Sequence, residues 1–422
     1  MKRSPLLPIF LVVLVDVLGF TIVYPLLPFY ALRYGATPLI ATTLVSVYAL
    51  CSLLSTPVIG RLSDTYGRRR LLMLSQAGTF AGFIVLGFSE YLWMVFLGRI
   101  LDGLTAGNLS LAQAYISDRT EPQNRAKAFG IIGIAFGIGF FFGPAMAGWL
   151  STYGLHVPFI VAAGLSLGSM VCTYALLEPG VPAARSGAEG KPGAAAGASG
   201  PGGKRPGLFA LGTYLEYFGR PGLGSLYLQF FLFCFSFSAF MSGFALFAIS
   251  RFHWTSRDVS FMFAYAGFLG IIMQGGLLGR LVKRVGEAPL VLAGFAAAVV
   301  AYLLLGFAQT LAVLLISSTI SSFSNGVLRP VITSELTQRI GRHEQGVAIG
   351  ISGSLNSFAM MISPPAGGLM LDRDWLLAWT LVPAVTTALG FIVALAGRAR
   401  VAAAKRAVAV AATAQAPGDQ VT

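Results

Sequence analysis

Asp16, Arg99, Asp102 and Arg329 stand inside long apolar runs of a 422-residue chain that is 56% hydrophobic and only 11% charged. An ionisable side chain at mid-depth of a bilayer costs several kcal/mol on most scales, so each one needs a reason. Asp16 lies about ten residues into the first run, roughly 15 Å along a helix and so near the bilayer centre. A carboxylate there offers reversible proton or cation binding; a static ion pair or a packing hydrogen bond is the other reading. Arg99 and Asp102 are three residues apart, within pairing distance on a helix, so proton handling and a structural salt bridge both stay open for them.

On a continuous helix, Arg99, Asp102, Ala106, Ser110, Gln113 and Ser117 fall within about an 80° sector, a polar stripe on an apolar rod. Ser318, Ser321, Ser322, Asn325 and Arg329 form a second stripe of about 100°. Two such stripes predict a water-accessible cavity, with Ser110, Gln113, Asn325, Arg329 and Asn356 as the candidate substrate contacts. Small hydroxyls also serve ordinary helix packing. The phenylalanine-rich "LQFFLFCFSFSAFMSGFALF" suits lipid and neighbouring helices better than a ligand. "NLS" at 108–110 is a glycosylation sequon by pattern only, inside a span, and "GISG" at 350–353 lacks the nearby general base that a serine nucleophile needs. No enzyme is expected.

The elements that position these residues are long helices. Mean hydropathy is +0.76, and apolar runs long enough to cross about 30 Å of hydrocarbon occur at 6–30, 39–59, 71–89, 92–117, 127–150, 156–177, 223–250, 259–279, 289–308, 311–332, 345–369 and 375–396. An all-α integral membrane protein with twelve transmembrane helices is therefore expected. The first run, interrupted by Asp16 and followed by no small-residue cleavage site, reads as a retained span rather than a signal peptide. Most of the 29 basic residues collect at one set of helix ends, leaving Arg33, Arg251, Arg257 and Arg373 at the other. That bias predicts cytoplasmic termini and assigns the net charge of +13 to membrane orientation, not nucleic-acid binding. Cys51, Cys172 and Cys234 lie in spans without paired spacing and read as small core residues, with no metal site expected.

"PGVPAARSGAEGKPGAAAGASGPGGKRPG" at 179–207 cannot bury a core and divides the helices six and six. The expected organisation is a six-helix bundle at 1–178, a cytoplasmic linker at 179–222, a second bundle at 223–397 and a tail at 398–422. Within the linker, 208–220 has the aromatic and leucine content of an interfacial helix. The halves echo one another: "GRLSDTYG" at 60–67 returns as "GRLVKRVG" at 279–286, and 125–148 has its counterpart at 345–368. Duplicated six-helix units belong to proteins that bind a solute near midplane and rock around it. No phosphate-binding loop is present to suggest ATP as the energy source.

"GRLSDTYGRRR" at 60–70 resembles the loop motif GxxxDxxGRRR/K of the major facilitator superfamily. "LGFTIVYPLLP" at 18–28 and "RILDGLTAG" at 99–107 resemble the first- and fourth-span motifs of its twelve-span drug:proton antiporters. Gly130, Gly139, Gly143, Pro144 and Gly148 fit the fifth-span antiporter motif, with Ala147 where a glycine is usual. The chain is most similar to the tetracycline-efflux-like members. The resemblance implies proton-driven export of lipophilic, cationic drug-like molecules, without a cofactor, by a monomer in the plasma (inner) membrane. It also implies a cytoplasmic gate of Gly60, Asp64, Gly67, Arg68, Arg69 and Asp118 packed on the eleventh helix, with Arg99 assisting proton movement; Asp16, from its depth in the first span, and Asp102, beside Arg99, are the proton-site candidates.

This chain departs from the tetracycline exporters in having Gly82 where the third span usually carries an acid, no acid in the ninth span, and Asp102 where the fourth-span pattern has Gln. The two missing acids argue against a metal–tetracycline chelate as substrate. A proton-coupled importer of a small metabolite and a non-transporting membrane scaffold are the alternatives.

Overall fold

The computed structural model describes residues 6–119, 125–177, 211–341 and 344–414, and among them the chain is helical with no strand. The first half contains α1 (Leu6–Val23), α2 (Leu27–Arg33), α3 (Pro38–Tyr66), α4 (Arg68–Gly87), α5 (Leu92–Leu104), α6 (Asn108–Arg119), α7 (Arg125–Leu150) and α8 (Val157–Leu176). After α9 (Leu211–Gly219) the second half contains α10 (Leu223–Phe252), α11 (Ser256–Ile272), α12 (Leu278–Val285), α13 (Glu287–Gly306), α14 (Leu311–Gln338), α15 (Gln345–Asp372) and α16 (Leu376–Ala414). A π-helical turn, Met273–Leu277, joins α11 to α12.

Among the described residues ten helical segments are long and apolar enough to span a bilayer, with α11, the π-turn and α12 counting as one, and α1 with α2 makes an eleventh, bent by 42°. The remaining expected span, 92–117, is divided between α5 and α6, each too short to cross alone. Pro25, which has no amide hydrogen to give, lies in the turn between α1 and α2.

Helix also extends into the stretches read as linker and tail. Helix α16 runs on to Ala414, so residues 398–414 continue the last helix beyond the apolar stretch that ends at Ala399. The linker's described end is also ordered: α9 docks on the second half through buried Tyr217 and through Phe218, whose ring stacks on Tyr227 at 5.3 Å. Arg220 lies over Tyr217 and bridges Glu216 at 2.7 Å and Glu344 at 2.8 Å. Its hydrogen bonds hold the Glu344 carboxyl below the ordinary carboxylate value.

The duplication is visible in the tightest turns. Gly67 joins α3 to α4 as a single residue with φ 94° and ψ 140°, and Gly286 joins α12 to α13 with φ 85° and ψ 164°. That conformation is open to glycine and strained for residues with a Cβ. It lets two antiparallel helices turn without a loop.

The buried apolar residues fall into clusters that define how the halves meet. At the end away from the basic loops, one cluster joins Ile22, Leu26 and Phe159 of the first half to Phe247, Val259 and Trp379 of the second. Toward the basic end, Ile9, Leu71 and Leu111 cluster within the first half alone, and Phe230, Phe295 and Val331 within the second alone. The molecule is sealed at one end and divided at the other.

Glycines make the seal possible. Gly368 of α15 rests on Leu39 and Thr42 of α3, and Gly267 of α11 rests on the carbonyl of Phe140 in α7. That carbonyl is freed because Pro144, four residues on, has no hydrogen to give it. Near the basic end, Gly60, Gly350 and Gly353 face open space. Gly67→Ala is expected to destabilise the protein by about 1–3 kcal/mol, the cost of a strained backbone conformation, whereas Gly60→Ala should be close to neutral; thermal unfolding in detergent distinguishes them.

Candidate functional site

The broken fourth span builds the first half of the site. Between α5 and α6, residues 105–107 leave the helix, and in hydrocarbon every backbone group released there must find an internal partner. Neighbouring helices supply them. Ser55 of α3 donates to the Gly103 carbonyl at 2.9 Å and Thr56 to that of Ala106 at 2.9 Å. Ser75 of α4 donates to the Thr105 carbonyl and accepts from the Gly107 amide. Three hydroxyls thus hold a gap in a membrane helix.

The gap gives the restarted helix a new partner. Asn108, the first residue of α6, donates its side-chain amide to the Asp16 carboxylate at 2.5 Å, tying α1 to α6. One turn before the gap, buried Arg99 pairs with buried Asp102 at 3.0 Å, and the guanidinium lies 4.3 Å from the ring centroid of Tyr48 in α3. Asp102 therefore has its own cation, while among the described residues Asp16 has a neutral amide.

Because the helix is interrupted, the expected stripe from Arg99 to Ser117 is not one continuous face. Arg99 and Asp102 turn inward before the break, and Ala106 lies within it. Ser110 caps back to the Gly107 carbonyl at 2.9 Å, and Gln113 is half-buried on α6. The side chain of Ser117 is outside the described part. Gly82, where tetracycline exporters place an acid, abuts Asp102 and the carbonyl of Gly98; a Cβ there would lie 2.8 Å from that oxygen, leaving no room for a carboxylate.

The second half supplies a cavity of about 550 Å³ lined by Gln274 in the π-turn and by Asn325, Arg329, Thr333, Ser334 and Thr337 along α14. Arg329 is exposed within it and donates to the Asn356 side chain of α15 at 2.9 Å. Asn325 donates to Ser321 at 3.3 Å. Of the α14 stripe, Ser322 approaches the Ala266 carbonyl at 3.5 Å, and Ser317, next to the stripe, donates to the Ala301 carbonyl as a packing group.

At the basic end, Arg68 binds Asp64 at 2.5 Å and Asp118 at 3.1 Å, and also reaches Ser63 and the Gly60 carbonyl. Arg69 donates to the Tyr174 carbonyl at 2.5 Å. The cluster is satisfied within its own half: among the described residues no hydrogen bond or ion pair links Asp64, Arg68 or Asp118 to α15, which meets α3 at the sealed end. The fifth-span motif does two jobs. Gly139 and Gly143 admit Val17 and Thr21 of α1, and the Thr21 hydroxyl donates to the Gly139 carbonyl at 2.9 Å, whereas Gly148 faces Ser260 and Arg257 of the other half. The surroundings of Gly130 lie outside the described side chains. No group of three His, Cys, Asp or Glu side chains is gathered among the described residues.

Sequence reasoning missed Asn108, Ser55, Thr56 and Ser75. The available signal was an Asn directly after Ala106-Gly107 in a span already carrying polar residues.

Two pseudo-repeated helical halves, sealed together at one end and enclosing polar groups that open toward the other, are the architecture of a membrane transporter. The family model of the Major Facilitator Superfamily matches residues 9–301 and 252–417, and the chain belongs to that family. It is 29% identical over 371 residues to the class D tetracycline resistance protein of Salmonella ordonez, covering 86% of this chain and 88% of that one. It is 24% identical over 364 residues to multidrug resistance protein 2 of Bacillus subtilis (strain 168), covering 86% and 87%. The crystal structure of the nucleoside transporter NupG superposes with a TM-score of 0.71 at 13% identity, covering 94% of this chain and 99% of that one.

Ser75→Ala would leave the Gly107 amide and the Thr105 carbonyl without this partner. A loss of about 1–3 kcal/mol is expected, the cost of burying unsatisfied polar groups, and it should appear as a lower unfolding midpoint in detergent that Ser75→Thr largely restores.

Proposed function

We propose that this transporter exports lipophilic, cationic drug-like molecules from the cytoplasm in exchange for protons by alternating access. The observation that carries the reading is Asp16: a carboxylate in the first span, bound to a neutral amide and not to a cation, at the junction of α1 and the broken fourth span. A proton or a cationic substrate can neutralise it, and competition between the two for one carboxylate is the simplest form of obligatory exchange. Arg99 and Asp102 neutralise each other and tune the field at Asp16. The names of the tetracycline and multidrug resistance relatives support drug export. The lack of room for an acid at position 82 argues for a substrate other than a metal chelate.

In this reading the basic end is cytoplasmic, as the distribution of positive charge favours. The conformation is then inward-open. The Asp64, Arg68 and Asp118 cluster is a latch resting on its own half until α15 approaches. The protein is a monomer of the inner membrane with both termini cytoplasmic, and the proton gradient is its only energy source. The fold also serves a nucleoside transporter, so uptake of a metabolite is the competing direction.

The test is accumulation of a cationic dye in proteoliposomes under an imposed pH gradient. Asp16→Asn should abolish gradient-driven accumulation and leave only a weakened dye-for-dye exchange that no longer depends on pH, whereas Asp102→Asn should impair both processes by freeing Arg99 and keep the pH dependence of what remains. Full gradient-driven accumulation by Asp16→Asn would remove Asp16 from coupling.

A further inference from the structure

Among the described residues, each half holds one charge within a span that no opposite charge answers. In the first it is Asp16, held by the Asn108 amide. In the second it is Arg329, which donates to the side-chain amide oxygen Oδ1 of Asn356 at 2.9 Å, with the Cys234 thiol beside it. The carboxylates on and beside α14 are occupied elsewhere: Glu335 of α14 pairs with Arg339 at 3.5 Å, and Glu287 of α13 accepts from Ser334 at 2.7 Å and Gln338 at 3.0 Å. Among the described residues no carboxylate pairs with Arg329.

Arginine stays charged at every accessible pH, so its charge cannot be discarded as the site dries. Its planar fork of five N–H donors matches an oxyanion through two parallel hydrogen bonds. Arg329 lines the cavity of about 550 Å³, and contacts with Asn356 and the Cys234 thiol occupy only part of its five donors. The other lining groups, Gln274, Asn325, Thr333, Ser334 and Thr337, are neutral. The cavity is a receptor for negative charge with polar, uncharged walls.

We propose that the transported molecules are amphoteric, carrying a carboxylate or similar oxyanion that seats on Arg329 besides the cationic group that competes with the proton at Asp16. This rests on the export reading above and adds a second anchor to it. The lone charge on each half takes one end of the ligand, so the same molecule bridges the two halves and biases them toward closing at the basic end.

Rhodamine 110 and rhodamine 123 test this directly. They share a cationic xanthene ring and differ in that the first has a free carboxylate and the second its methyl ester. Accumulation of each in proteoliposomes under a pH gradient is measured after lysis at fixed pH, for the native protein, Arg329→Gln and Arg329→Lys. The native protein should show the lower KM for rhodamine 110. Arg329→Gln should raise that KM about tenfold, the equivalent of about 1.4 kcal/mol, and leave rhodamine 123 unchanged, with Arg329→Lys between. Equal handling of both dyes by the native protein, a preference for the ester, or an equal loss of both in Arg329→Gln overturns the inference while the export reading stands. Transport of neither dye overturns both.

Discussion

Hydrocarbon offers no hydrogen bonds, and this structure is organised around the places where its helices nevertheless break. The turn after α1, the gap between α5 and α6 and the π-turn between α11 and α12 each interrupt a span. Such interruptions persist in a membrane only where protein or a water-filled cavity satisfies the exposed backbone. At the fourth span the satisfaction is explicit, since Ser55, Thr56 and Ser75 together answer the groups released around 103–107. The break is what lets Asn108 reach Asp16, and the π-turn places Gln274 on the cavity wall. The polar chemistry of the protein is located where its helices fail to be regular.

The placement of the apolar cores governs motion in the same way. Each half has its own apolar core near the basic end, and the two share one only at the opposite end. Close-packed cores move as rigid bodies, so the freedom left to the molecule is a tilt of one half against the other about the shared core. Glycines at that contact bring backbones within direct reach, as Gly267 does over the Phe140 carbonyl that Pro144 leaves unpaired. The fifth-span motif is therefore divided between holding α1 within its own half and meeting α11 of the other.

Much of this was legible in the sequence because bilayer spans, positive flanks and duplicated motifs are long or repeated signals. The echo of Gly67 in Gly286 predicts paired tight turns, and both adopt the same positive-φ conformation. The pairing of Arg99 with Asp102 is expected from their spacing. What sequence could not supply was the break at 105–107: helical periodicity assumes an unbroken rod, and the segment contains no proline. Asn108 consequently read as part of a glycosylation pattern, although it is the partner of the carboxylate in the first span. The partner of Asp64 was equally out of reach, because a latch between halves and an ion pair within one half need the same residues and differ only in conformation.

In the proposed transport cycle the halves hinge at the sealed end and part at the basic end. Pulsed electron–electron distance measurements test this most directly, with spin labels on the basic ends of α3 and α15 in a background lacking Cys51, Cys172 and Cys234. The expected result is a long distance at neutral pH, replaced by a distinctly shorter population when the pH is lowered or a transported dye is added, with a paired set of labels at the sealed end moving in the opposite sense. A single distance that neither protons nor dye can shift at either end would contradict it.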